Sequence, residues 1–260
     1  MVSVLVPVYK ASAYLEEAVH SALNCPEVGE IILIEDGSPD NSLEVCKMLE
    51  QKFDKVKLYQ HINGENKGAS ESRNLGILRS EFDLISFLDA DDIYLANRFK
   101  RHVKLLAEQG VDGVYGTVSY IDSKGTETGR KFGIKHHQIA PRKLTRRLIR
   151  GTYGHFHTNS FTIKKKVLEN IKWFDPRLKL HQDSELWIRI SANGDLVSDE
   201  LGEPIAQVRT HDLNRISGAN KKSRTLFWRI LISNSLFSSM KASDKLMILM
   251  RYINSILRGV

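Results

Sequence analysis

The chain has 260 residues, 42% of them apolar and 27% charged, with a net charge of +7; these are the proportions of a globular protein able to bury a sizeable core. No apolar run approaches the roughly 18 residues of a membrane-spanning helix, and "MVSVLVPVYK" reads as a strand from its first residue rather than as a signal peptide. The two cysteines, Cys25 and Cys46, lack metal-ligand spacing and suit a reducing compartment, so the expectation is a cytoplasmic protein.

Through residue 110 the pattern alternates. Short runs at 2–8, 30–35, 55–60 and 83–88 read as strands, three of them nearly continuously apolar, as strands buried on both faces should be. Helical patterns lie between and after them, at about 12–24, 40–52, 68–80 and 94–109. Ser38, Pro39 and Asp40 supply start signals for the second helix. Such alternation predicts an α/β fold with a mostly parallel central sheet flanked by helices. Downstream, 112–122 and 155–163 read as strands, and "DSELWIRISANG" as a helix ending at Gly194.

Ligands on parallel sheets bind beyond the carboxyl ends of the strands. The sequences there are "PVYKAS", "EDGSPDNS" and "LDADD". Three crowded acids, Asp89, Asp91 and Asp92, repel one another, so at least one should resist ionising. Asp-X-Asp suits a hard divalent ion that keeps positions open for phosphate oxygens; the alternative is that Asp91 or Asp92 caps a helix near Ile93. Asp36 reads either as an acceptor for a nucleobase or ribose, or as a turn acid beside Gly37. Arg73 reads as a diphosphate partner or as a surface residue of its helix. Neither G-x-G-x-x-G after the first strand nor G-x-x-x-x-G-K-[ST] is present, which counts against a dinucleotide oxidoreductase and a P-loop NTPase.

Taken in order, "SVLVPVYKASAYLEEAVHSAL", "EIILIEDGSPDNS", "NKGASESRNLGI", "FLDADD" and "HQDSELWIRI" resemble family-two glycosyltransferases of the GT-A fold, as found in bacterial surface-polysaccharide assembly, over about residues 2–215. The resemblance implies an inverting, metal-dependent transferase that moves a sugar from a nucleotide sugar, UDP by default, to an acceptor hydroxyl. It implies that Pro7, Val8, Tyr9 and Asp36 hold the nucleoside, that Arg73 lies near the diphosphate, and that Asp89, Ala90 and Asp91 form the Asp-X-Asp. Mn²⁺ or Mg²⁺ would be held by Asp91 and Asp89, with His211 as a further contact, and Asp183 would be the general base. Where the family often has Glu-Asp, this chain has Gln182-Asp183.

Residues 1–130 carry 14 Lys/Arg against 21 Asp/Glu, and residues 131–260 carry 24 against 10. An acidic half that handles a cation and a basic half that faces something anionic is one reading; a solvated basic surface is the other. The predicted organisation is a catalytic domain over 1–215, divided at 110/111 into donor-binding and acceptor-binding parts, with a basic amphipathic helical extension over 216–260. In the tail, Arg251, Asn254, Ser255 and Arg258 recur at helical spacing among apolar residues. That segment suits an anionic membrane surface and a lipid-diphosphate-linked saccharide acceptor; docking on the domain itself or on a second copy fits the same pattern. His155 and His157, placed on one strand face, read either as lining of the acceptor pocket or, as is more common on a half-buried strand, as structural histidines; Trp187, between Leu186 and Ile188, reads as core rather than as a ring that stacks on a sugar. A sugar nucleotidyltransferase would carry a glycine-rich basic loop after the first strand, where Lys10 is the only basic residue. A silent binding module would have lost its acids, and no aromatic-basic interleaving supports nucleic-acid binding.

Overall fold

The run "VSVLVPV" has almost no polar side chain to place in water, and it forms β1 (Val2–Val8), buried on both faces in the centre of a sheet. The structure, a computed structural model, describes residues 1–133, 140–151, 155–169, 171–199, 202–211, 221–235 and 240–257. After β1 come α1 (Leu15–Leu23), β2 (Val28–Glu35), α2 (Ser42–Lys52), β3 (Val56–Gln60), α3 (Ala69–Arg79) and β4 (Leu84–Phe87). The predicted alternation is therefore present. The second helix starts later than expected, at Ser42. Asp40 accepts from Ser42 N at 3.3 Å and from Ser12 Oγ at 2.8 Å, so the expected start signals instead tie two loops together.

The chain continues through β5 (Ile93–Tyr94), α4 (Lys100–Glu108), β6 (Gly113–Tyr115), β7 (Thr117–Ile121), β8 (Glu127–Phe132), α5 (Pro141–Arg150), β9 (Phe161–Lys164) and α6 (Lys165–Glu169). Then follow α7 (Gln182–Asn193), β10 (Leu196–Ser198), β11 (Pro204–Arg209), α8 (Lys221–Ser235) and α9 (Ala242–Leu257). The main sheet has the order β10-β6-β9-β4-β1-β2-β3, parallel except where β9 runs against β4 and β6. A second sheet, β5-β11-β7-β8, covers one end.

Three expected boundaries move for physical reasons. The helix of 94–109 begins only at Lys100, because Ile93 and Tyr94 pair with β11; neither Asp91 nor Asp92 caps a helix. The strand of 112–122 divides at Gly116, whose N–H reaches across to Ser160 O at 3.0 Å while β6 and β7 enter different sheets. A Cβ there would come within 2.6 Å of Ile205 Cδ1, so no side chain fits at the crossing. The run 155–163 is strand only from Phe161; a 3-10 turn, Thr158–Ser160, precedes it, so His155 and His157 do not share a strand face.

One hydrophobic cluster joins the sheet to the tail. Trp187 is fully buried, 4.5 Å from the Phe161 ring and 5.4 Å from that of Phe156 between ring centres, which closes it to sugar stacking. Phe227, Ile230 and Leu231 of α8 and Ile248 of α9 belong to the same cluster. The outward side of α9 is different: Leu246, Leu249, Met250, Ile253, Ile256 and Leu257 are all exposed. No helix among the described residues is long and apolar enough to cross a membrane. The predicted boundary at 215/216 and Arg258 lie outside the described residues.

Candidate active site

The carboxyl ends of β1, β2 and β4 open onto a cavity of about 430 Å³. Its walls include Pro7, Val8, Tyr9 and Lys10 after β1, Asp36 after β2, Ala69 and Arg73 on α3, and the run Asp89 to Asp92 after β4. His157 and His211 complete it from later in the chain. Every residue predicted for donor binding thus lines one space. Lys10 holds a left-handed backbone (φ 54°), a conformation that costs a non-glycine residue about 1–2 kcal/mol and is commonly kept at functional edges.

Asp36 is buried and its carboxylate accepts from the backbone N–H groups of Lys67 at 2.7 Å and Gly68 at 2.9 Å. It therefore braces the loop leading into α3 while it lines the cavity. Gly37 makes this approach possible: its φ is +64°, and a Cβ would meet Gly64 O at 2.6 Å.

Each acid of the run after β4 has a different environment. Asp89 is partly exposed and accepts from Arg73 Nη2 at 2.6 Å. Asp91 Oδ2 lies 2.9 Å from His211 Nε2, and the His211 ring stacks on Tyr14. Burial, with Asp89 beside it, pushes the Asp91 carboxyl up. Asp92 is buried, accepts from Arg209 N at 2.7 Å and from Asn159 Nδ2, and is pushed well above the ordinary carboxylate range, first by burial and then by Asp91 and Asp89. The expected resistance to ionisation thus falls mainly on Asp92. This donor set fits a divalent cation. The carboxylates of Asp89, Asp91 and Asp92 and the His211 imidazole line one cavity, and added positive charge would relieve the repulsion among the acids; ligand atoms of Asp89, Asp92 and His157 also lie within 4.8 Å of one another.

A second cavity of about 860 Å³ adjoins the first, and the two share Ala69, Arg73, Asp89 and His157 as walls. Asp183 lines this second space from the first turn of α7. His181, the residue before that helix, is left-handed (φ 59°) and turns the chain into it. Gln182 meets both neighbours when its amide oxygen accepts from Arg73 Nη1 at 3.0 Å and its nitrogen donates to Leu178 O at 3.1 Å. The departure from Glu-Asp therefore gives Arg73 a neutral acceptor, and among the described residues Asp89 is the carboxylate it pairs with, while Gln182 also lines the second cavity.

Residues 3–172 match the family model described as glycosyl transferase family 2. The chain belongs to that family. Among curated proteins it is 32% identical over 194 residues to an uncharacterized glycosyltransferase of Rickettsia felis, covering 73% of this chain and 31% of that protein. It is 31% identical over 193 residues to the minor teichoic acid biosynthesis protein GgaB of Bacillus subtilis, covering 71% of this chain and 20% of GgaB. The chain thus spans a third or less of the length of these relatives. Among solved structures, TarS of S. aureus in complex with UDP-GlcNAc superposes with a TM-score of 0.76 at 18% identity, over 98% of this chain and 72% of TarS. That likeness establishes the GT-A fold.

Two residues that brace the acids, Arg209 and Asn159, were not assigned from the sequence, and a third, His157, was read there only as an acceptor-side or structural histidine. Arg209 bonds Asp91 O at 3.0 Å through Nε, reaches Glu17 Oε2 at 2.5 Å and lies over the Tyr14 ring. Asn159 accepts from Asp89 N at 3.1 Å and donates to Asp92. His157 stands on the wall between the two cavities. Arg209 and Asn159 sit in stretches with no motif of their own, and the only signal was an alternation at 155–163 that pointed to a strand.

Proposed function

We propose that the protein is an inverting glycosyltransferase that moves a sugar from a nucleoside-diphosphate sugar, UDP favoured, to a hydroxyl of a saccharide acceptor. The observation that carries this reading is the pair of joined cavities, with the acid-rich strand ends in one and Asp183 in the other, meeting at Arg73 and Asp89. A donor in the first cavity would present its anomeric carbon at that shared wall. The acceptor hydroxyl then attacks from the second cavity as Asp183 takes its proton, a contribution typically worth ~10²–10⁴-fold. As the new bond to the anomeric carbon forms, the bond to the diphosphate breaks and its electron pair leaves on a phosphate oxygen. Within the described lining of the acceptor cavity the other carboxylate, Asp89, is engaged by Arg73, whereas Asp183 accepts from its neighbour Ser184 N at 2.7 Å and pairs with no cation among the described residues, so Asp183 is the available base and a single displacement with inversion is favoured.

Asp89, Asp91 and His211 would hold the Mn²⁺ or Mg²⁺. When bound, the ion supplies positive charge that stabilises the departing diphosphate. Arg73 reinforces that charge from α3. Two similar proteins support the substrate classes: TarS was solved with UDP-GlcNAc, and GgaB is named for minor teichoic acid biosynthesis. A lipid-diphosphate-linked acceptor at an anionic cytoplasmic leaflet suits the exposed apolar stripe of α9 and the basic residues Lys143, Arg146, Arg150 and Arg251 on α5 and α9.

The test is a panel of nucleotide sugars, assayed for hydrolysis and transfer with and without Mn²⁺ or Mg²⁺. One donor should turn over only with metal. Asp183→Asn should keep donor and metal affinity while transfer falls by ~10²–10⁴-fold. Near-native turnover in that variant removes Asp183 from the mechanism, and a panel without any binding or turnover overturns the transferase reading.

A further inference from the structure

His157 caps the 3-10 turn Thr158–Ser160: the backbone N–H of Asn159 donates to its Nδ1 at 3.3 Å. A backbone N–H can only donate, so Nδ1 must offer a lone pair, and in the neutral ring the proton then sits on Nε2. The turn that imposes this is itself clamped. Asn159 is fully buried, its side chain bridges Asp89 N and Asp92, and its carbonyl accepts from Arg98 Nε at 2.8 Å. Nε2 makes no hydrogen bond to another described residue, and the ring lies on the wall common to both cavities.

This tautomer decides what the imidazole can do. Asp89, Asp92 and His157 are close enough together to resemble a three-ligand metal site. Metal ligation needs a lone pair, and with Nδ1 held by the turn the other nitrogen has none to give. What remains is a fixed N–H donor beside Arg73 and Asp89, where the reading above places the diphosphate. We propose that His157 donates a hydrogen bond from Nε2 to a β-phosphate oxygen of the sugar donor and is not a ligand of the metal. The bond strengthens as the electron pair of the sugar–oxygen bond passes to the phosphate, and the proton stays on Nε2 throughout. This inference rests on the transferase reading.

Two substitutions separate the donor role from the turn-capping role. In His157→Asn the amide oxygen reaches the place of Nδ1 and preserves the cap, but nothing reaches the place of Nε2. In His157→Gln the distal N–H is kept and the cap is lost. We expect His157→Asn to melt like the parent and to bind UMP unchanged with Mg²⁺ present, while UDP binds ~10-fold more weakly and kcat falls ~10²-fold. His157→Gln should retain more turnover than His157→Asn despite a lower melting temperature. Long-range ¹H–¹⁵N correlation of the intact chain with Mg²⁺ should find the proton on Nε2. A proton on Nδ1, or parental UDP affinity and turnover in His157→Asn, overturns the proposal and leaves the transferase reading intact. Failure of the parent chain to bind any nucleoside diphosphate would overturn both.

Discussion

Asp92, His102 and Arg98 are ionisable side chains placed where water does not reach, and each is handled differently. Asp92 is held by two donors and resists losing its proton. Arg98 spends its donors on Asn159 O, Phe161 O, Ser86 Oγ and Thr162 Oγ1, so the buried guanidinium is satisfied without an ion pair to a carboxylate among the described residues. His102, fully buried beside it, is pushed down to about 4, chiefly by burial. Because the folded chain refuses a proton on His102 that the unfolded chain accepts, the contribution of this group is level above about pH 6.5 and falls as the pH drops from there toward 4. The loss from this one group approaches about 3 kcal/mol at the lower limit. Urea midpoints at pH 7 and pH 4.5 should show it, and His102→Gln should flatten the dependence; His155 and His157, also lowered by burial, leave a residual slope of the same sign. Asp92 and Asp91, raised in the fold, add stability over the same interval as the pH falls, so the His102 share is the difference between the parent and His102→Gln; identical pH dependences in the two chains would refute the assignment. No local signal singled out His102 or Arg98, because burial of a charged residue depends on what the rest of the chain lays over it.

Elements with a strong period were legible: β1 to β4, the helix over α3 and the end of α7 at Gly194 lie where their patterns put them. Short or irregular elements were not, since a two-residue strand such as β5 exists only through its pairing with β11. The attachment of α8 is also tertiary. Asn234 donates to Asp175 Oδ2 at 3.1 Å and to Glu185 Oε1 at 2.9 Å, and Glu185 is the buried partner of Arg189 at 2.7 Å. Replacing that amide by an apolar side chain of similar size leaves two buried acceptors short of a donor. Asn234→Leu should therefore cost about 1–3 kcal/mol, read as a lower urea midpoint with unchanged slope. No loss of stability would mean that the apolar contacts of Phe227, Ile230 and Leu231 hold α8 by themselves.

At the scale of the molecule the tail is built into the core on one side and bare on the other. Deleting 221–257 would uncover Trp187's cluster, so aggregation rather than a clean loss of surface binding is the expected result. Four replacements on the outward face of α9, Leu246→Ser, Leu249→Ser, Met250→Ser and Ile253→Ser, avoid that problem. They should leave the melting temperature nearly unchanged and abolish flotation with anionic vesicles. Flotation that survives them, or is absent in the parent, removes the membrane reading, and a change in mass by light scattering would point to a second copy instead.

The sequence by itself determined the chemistry available: strands ending in acids, an arginine on the third helix, an aspartate opening the seventh, all carried by local periodicity and short motifs. Only the tertiary structure decided how those groups meet: that Arg73 pairs with Asp89, that Asn159 and Arg209 brace the acids, and that α9 turns its apolar face outward. Secondary structure follows from interactions a few residues apart, which one stretch of chain contains. Contacts between positions such as 73, 89, 157, 183 and 209 follow from sheet order and packing, which no single stretch contains.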